Sequence, residues 1–110
     1  MSQTETTAAY VYSSFGDDPD LGELVEMFVD EMPERVRTLK ELADEQDWNQ
    51  LARTAHQLKG AAGSYGFDQL TPYAKQLELF AREGSSEPEI RAALNKLVDL
   101  CERTRAGVAE

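Results

Sequence analysis

His56, the only histidine of the chain, combines a nucleophilic nitrogen with unusually small neighbours. An imidazole attacks phosphorus through a nitrogen lone pair, so the ring must be neutral and held in one tautomer. On a helix, the residues three, four and seven places further on share its face. Here they are Lys59, Gly60 and Gly63, a cation and two positions without a side chain. Each glycine costs about 1 kcal/mol relative to alanine inside a helix. Two of them beside a histidine make sense where another backbone must approach closely. Phosphoryl transfer passes through a loose transition state with negative charge on its equatorial oxygens. Lys59 offers a mobile positive charge for that state, and Arg53, three residues before His56, offers a second or a pairing group for an acidic partner.

Plainer readings of the same residues exist. Gly60 is also acceptable as a helix C-cap, with residues 60–66 as a loop. An apolar stripe that continues to Ala62 favours an unbroken helix instead. The spacing of Gly60, Gly63 and Gly66 is not that of a nucleotide loop, because no strand precedes it and no Gly-Lys-Ser/Thr follows. One histidine and no inward Glu-x-x-His pair argue against a metal- or ligand-binding bundle. A lone histidine at the edge of an apolar stripe is often structural, Arg53 reads equally as a solvated cation, and Glu78 as a surface carboxylate. Cys101 falls at a core position and reads as a small hydrophobe; Trp48 reads as packing at a helix junction.

The run His56, Gln57, Leu58, Lys59, Gly60, Ala61, Ala62, Gly63, Ser64, Tyr65, Gly66 resembles the signature of histidine-containing phosphotransfer (Hpt) domains, the relay modules of bacterial two-component signalling. That pattern is His-x-hydrophobic-Lys-Gly, small residues, then a hydrophobic residue and Gly. The order of helical segments over residues 18–105 fits it as well. The resemblance implies a phosphoryl carrier without autonomous kinase activity, in which His56 accepts from one receiver aspartate and donates to another. It also implies that Glu78, 22 residues after His56, holds Nδ1–H and leaves Nε2 for the phosphate. The expected catalytic set is therefore His56, Lys59 and Glu78, and the expected partner-binding set is Arg53, Gly60, Gly63 and Ser64. The implied partners are response-regulator receiver domains and a (hybrid) sensor histidine kinase. No cofactor is expected on the chain itself, Mg²⁺ being supplied by the receiver. The motif is similar, through Phe67, to the phosphoacceptor domain of chemotaxis-type histidine kinases, whose dimerisation and ATP-binding domains do not fit in 110 residues. An alternative of another class is a helical adaptor that is never phosphorylated.

Bulk properties agree with such a module. The length of 110 residues allows one core. Eleven basic against 21 acidic residues leave a net charge of −10, which argues against nucleic acid and anionic membrane surfaces. No apolar run approaches the roughly 20 residues of a membrane span, and residues 1–7 lack the apolar core of a secretory signal. A single cysteine fits a reducing compartment, hence the cytoplasm, and nothing demands more than a monomer.

Four helical patterns must position these residues, and no convincing period-two run occurs. The first starts at an Asp18 cap followed by Pro19, with Leu21, Leu24, Val25, Phe28, Met32, Val36, Leu39 and Leu42 on one face. Pro33 lies within that stripe and either kinks or breaks it. The second opens at Asp47 with Gln50 at capping-box spacing, and carries Leu51, Ala55, Leu58 and Ala62. The third covers about residues 68–82, with Leu70, Tyr73, Ala74, Leu77 and Ala81 inward and Pro72 in its first turn. Ser86 and Glu89 form a second capping box, followed by Ile90, Leu94, Leu97, Cys101 and Thr104. Short connections predict an all-α, up-down-up-down antiparallel four-helix bundle over residues 18–110. Residues 1–17 form an N-terminal extension whose Tyr10, Val11, Tyr12 and Phe15 cap one end as a short segment or helix.

Overall fold

The computed structural model describes residues 9–108, and they are mainly helical. Four helices follow in order: α1 (Gly22–Asp44), α2 (Trp48–Ser64), α3 (Thr71–Glu83) and α4 (Glu87–Glu102). Each presents one apolar face, and α2 packs most extensively against α3. Contacts of α1 with α2, α3 with α4, and α1 with α4 close the four into a ring around a shared core.

Local chemistry sets the boundaries. Asp18 does not cap α1 directly. Its carboxylate accepts from the N–H groups of Asp20 and Leu21 at 2.7 and 3.0 Å, and its carbonyl accepts from Gly22. That side-chain turn occupies the expected first helical residues, so α1 starts at Gly22, later than an Asp18 cap implies. The helix then runs unbroken through Pro33, whose missing N–H deprives only the Val29 carbonyl of its helical donor. Asp47 accepts from Gln50 N–H at 3.2 Å to cap α2. Ser86 and Glu89 form the complete reciprocal box at the start of α4. A short 3₁₀ turn (Asp68–Leu70) leads into α3, with Pro72 in the first turn, and Gly84 ends it at φ 71°.

The inward stripes fall largely where periodicity puts them. Phe28, Leu39, Leu51, Leu58, Leu70, Leu77, Ile90 and Leu97 are all fully buried. Removing such a side chain from water contributes about 1.5–3 kcal/mol each. Two expected core residues face out instead, Leu24 at 41% and Tyr73 at 38% exposure. Each is one residue, a 100° step, from a buried neighbour, Val25 and Ala74 respectively, and so rotates off the core. Thr104 is buried as expected, but beyond the end of α4.

The expectation of no β structure and of a possible helix before α1 is corrected by a small ladder. Val11–Tyr12 (β1) pairs in parallel with Thr104–Arg105 (β2), Val11 opposite Thr104. Val11 is buried, and its N–H donates to the Arg103 carbonyl at 2.8 Å. Arg105 lies over the Tyr10 ring, 4.1 Å from its centroid. Two-residue strands are too short to leave an alternation in the sequence.

The following segment is laced to the α2–α3 connection. Ser13 Oγ donates to the Tyr65 carbonyl at 2.5 Å, and Ser14 N–H to the Gly66 carbonyl at 3.0 Å. Gly66 turns there at φ 81°, and a side chain on it would begin 2.5 Å from Ser13 Oγ. The turn sends Phe67 back into the core, where its ring and that of Tyr65 stack on Phe28 at 5.3 and 5.1 Å.

Candidate functional site

Periodicity on α2 explains why His56 stands where it does. Ala55 and Leu58 take the core, so the intervening residue turns outward, and the His56 side chain is 58% exposed. Its face borders α3. Nδ1 lies 3.0 Å from Glu78 Oε2, so one nitrogen is engaged across the helix pair.

Glu78 is the hub of this region. Its side chain is only 10% exposed, yet it holds three donors. Oε1 accepts from Lys59 Nζ at 3.0 Å, while Oε2 accepts from Arg82 Nε at 3.0 Å and faces the imidazole. Burial by itself pushes this carboxyl up. The hydrogen bonds from Lys59 and Arg82, with the charge of Lys59, outweigh that effect and hold it below the ordinary glutamate value. Glu78 is therefore ionised at neutral pH. An ionised carboxylate only accepts, so the proton of a neutral His56 ring resides on Nδ1 and the lone pair on Nε2. This arrangement meets the two demands on a nucleophilic imidazole, one tautomer and a fixed ring plane.

The glycines lie in α2 itself and not in a loop, since the helix continues to Ser64. A methyl group at Gly60 or Gly63 would meet no heavy atom within 4 Å beyond the helix's own backbone. Both residues and Ser64 are exposed. Among the described residues no packing requires glycine at either position, so the surface along α2 is bare and open there.

Of the residues singled out from the sequence, the fold brings His56, Lys59 and Glu78 into contact. Lys59 is not a free cation, because its ammonium is anchored on Glu78 and its side chain is 28% exposed. Arg53 does not join this cluster. It lines a polar groove of about 430 Å³ with Asp47, Asn49, Gln50 and Arg82. Arg82 itself was not foreseen as a site residue. Its signal was present, since Glu78 and Arg82 stand four apart in the order that favours pairing on a helix.

Among the described residues, no group of three or more His, Cys, Asp or Glu side chains is placed to hold a metal ion. No helix among them is long and apolar enough to cross a membrane.

No curated protein and no solved structure matches the chain significantly. The Hpt domain family matches it over residues 23–107, a span that contains most of α1, all of the other helices, and the His56, Lys59, Glu78 cluster. With that much of the sequence accounted for, the chain belongs to the Hpt domain family.

Proposed function

We propose that this chain is a phosphoryl carrier in a two-component phosphorelay, taking a phosphoryl group on His56 Nε2 from one receiver aspartate and passing it to another. Hpt domains are phosphocarrier modules of two-component signalling and not kinases. The observation that carries the finer reading is the 3.0 Å contact of His56 Nδ1 with a carboxylate held ionised, on a helix face without side chains at Gly60 and Gly63.

The transfer balances simply. The Nε2 lone pair forms the N–P bond as the P–O bond to the donor aspartate breaks, and the carboxylate leaves with that electron pair. The proton stays bonded to Nδ1, donated to the Glu78 carboxylate, and the ring becomes a phosphoimidazolium whose positive charge Glu78 compensates. Reversal onto another aspartate restores the neutral imidazole. Lys59 provides charge compensation for the phosphoryl oxygens, and Glu78 fixes the tautomer. Mg²⁺ and the acceptor carboxylate come from the receiver domain. Arg53, Gly60, Gly63 and Ser64 form the face against which that domain docks, with the carrier acting as a monomer in the cytoplasm.

An up-down-up-down bundle suits this function by presenting the face on one rigid side. Support comes from both ends of the α1–α2 pair. Near the start of α1, Phe28 stacks on Tyr65 just after α2, and at the other end Asp47 N–H donates to the Leu42 carbonyl.

The test is incubation with a phosphorylated receiver domain, followed by a search for acid-labile, base-stable label. We expect His56→Gln to abolish the label while helical circular dichroism is retained. Label persisting in that variant overturns the site. A wild-type chain that binds receivers but never takes label is an adaptor instead.

A further inference from the structure

Lys59 is required in two places. In the structure its ammonium compensates Glu78 Oε1. During transfer the phosphoryl oxygens need the same charge. If it moves, a carboxylate with only 10% exposure loses a counter-ion, which is costly for a nearly buried charge. Something else must hold Glu78 in place.

We propose that Arg82 is a positioning residue that holds the Glu78 carboxylate against His56 Nδ1 while Lys59 transfers to the phosphoryl group. This inference rests on the phosphocarrier reading above. Two observations and one chemical argument support it. Arg82 Nε reaches Oε2, the oxygen that also faces Nδ1, whereas Lys59 reaches Oε1. Departure of Lys59 therefore frees one oxygen and leaves the other, with its two partners, intact. Arg82 also stands on α3 with Glu78, four residues further on, so its contact does not depend on how α2 sits. Finally, the imidazole gains a positive charge as Nε2 gives up its lone pair. The new cation on Oε2 replaces the one leaving Oε1, and Lys59 is released as the phosphoryl group arrives.

An ordinary surface pair four apart contributes little, and would affect stability alone. The test must therefore follow the lysine. Phosphoramidate serves as a chemical donor: its P–N bond breaks, the nitrogen leaves as ammonia, and the Nε2–P bond forms. Phosphorylation is followed by ³¹P NMR, and the Lys59 side chain through its ¹³Cε resonance. Arg82 is about half exposed, so both Arg82→Gln and Arg82→Lys should fold, which melting curves check. In the wild type the Lys59 resonance moves on phosphorylation. In Arg82→Gln it stays in place and uptake slows roughly tenfold, as expected for one lost charge-assisted hydrogen bond. Arg82→Lys recovers most of the rate and the movement. Arg82→Gln with wild-type rate, or with slow uptake but a Lys59 resonance that still moves on phosphorylation as in the wild type, overturns the assignment. If the wild type takes no phosphate on His56, the carrier reading itself falls, a distinct result seen before any variant is compared.

Discussion

At the scale of single residues, the Glu78 carboxylate gathers the contacts of this region, with His56, Lys59 and Arg82 all converging on it. Glu78→Gln separates the two things this residue does, since the amide still accepts from Nδ1–H but carries no charge. The folded protein holds the Glu78 carboxyl below its ordinary value, about 4.3 in an unfolded chain. The folded state therefore binds fewer protons at this position than the unfolded one. Its stabilisation is present above that pH and is lost as pH falls through the folded value. We expect Glu78→Gln to lower stability at pH 7 by on the order of 1 kcal/mol, allowing for water around the half-exposed Arg82. Urea denaturation at pH 7 and pH 3 should show the gap between variant and wild type closing on acidification. A gap that does not change with pH would mean the three donors contribute nothing through charge. At the residue scale some spatial neighbours were legible in the sequence and others were not. His56, Lys59, Gly60 and Gly63 are neighbours through helical periodicity alone, so spacing was sufficient. Glu78 came from resemblance, because nothing local ties residue 78 to residue 56. Arg82 was missed because its importance depends on which oxygen it reaches.

The elements follow from opposing demands on three glycines. Gly60 and Gly63 lie inside α2 with open space where a side chain would begin, so alanine at either position removes only a backbone-entropy penalty. Each should stabilise the fold by about 0.5–1 kcal/mol. For a domain of this size that raises the melting temperature by roughly 2–8 °C per substitution. On the proposed carrier reading, Gly60→Gln should likewise fold, yet slow transfer by obstructing a docking receiver. Gly66 predicts the reverse: at φ 81°, with Ser13 Oγ 2.5 Å from a new Cβ, alanine should destabilise by about 1–3 kcal/mol. Thermal denaturation of the three alanine variants checks the signs together. A Gly60→Ala that melts lower than wild type would show a packing requirement inside the chain and remove the argument for an external partner. Spacing alone could not separate these glycines, because a C-cap at Gly60 and a turn at Gly66 look alike in one dimension. The continuing stripe to Ala62 was the deciding clue. Leu24 and Tyr73 show its limit: an apolar residue one step off a stripe has the right type, and only the neighbouring helix decides whether it is covered.

For the whole molecule, the chain is closed near both ends of the described segment by β1 on β2, a contact invisible to periodicity because each strand is two residues long. Directly before β2, Cys101 lies 1% exposed in the last turns of α4, and Thr104 Oγ1 donates back to its carbonyl at 2.8 Å. Burial pushes the Cys101 thiol up to about 12, so in the folded state it is neither accessible nor ionised. As the only cysteine, it reports on opening of this end of the bundle. If α4 and the β1–β2 pair open only with global unfolding, alkylation follows the unfolding equilibrium. Native labelling by iodoacetamide at pH 8 should then be slower than in denaturant by at least about a thousandfold, as expected for a domain stable by 5 kcal/mol or more. The rate should fall further in Gly60→Ala, by the factor its added stability implies, although residue 60 is on a different helix. Labelling that is fast, or indifferent to Gly60→Ala, would show that the end of α4 opens separately. The small ladder would then be a local latch and not part of the cooperative fold.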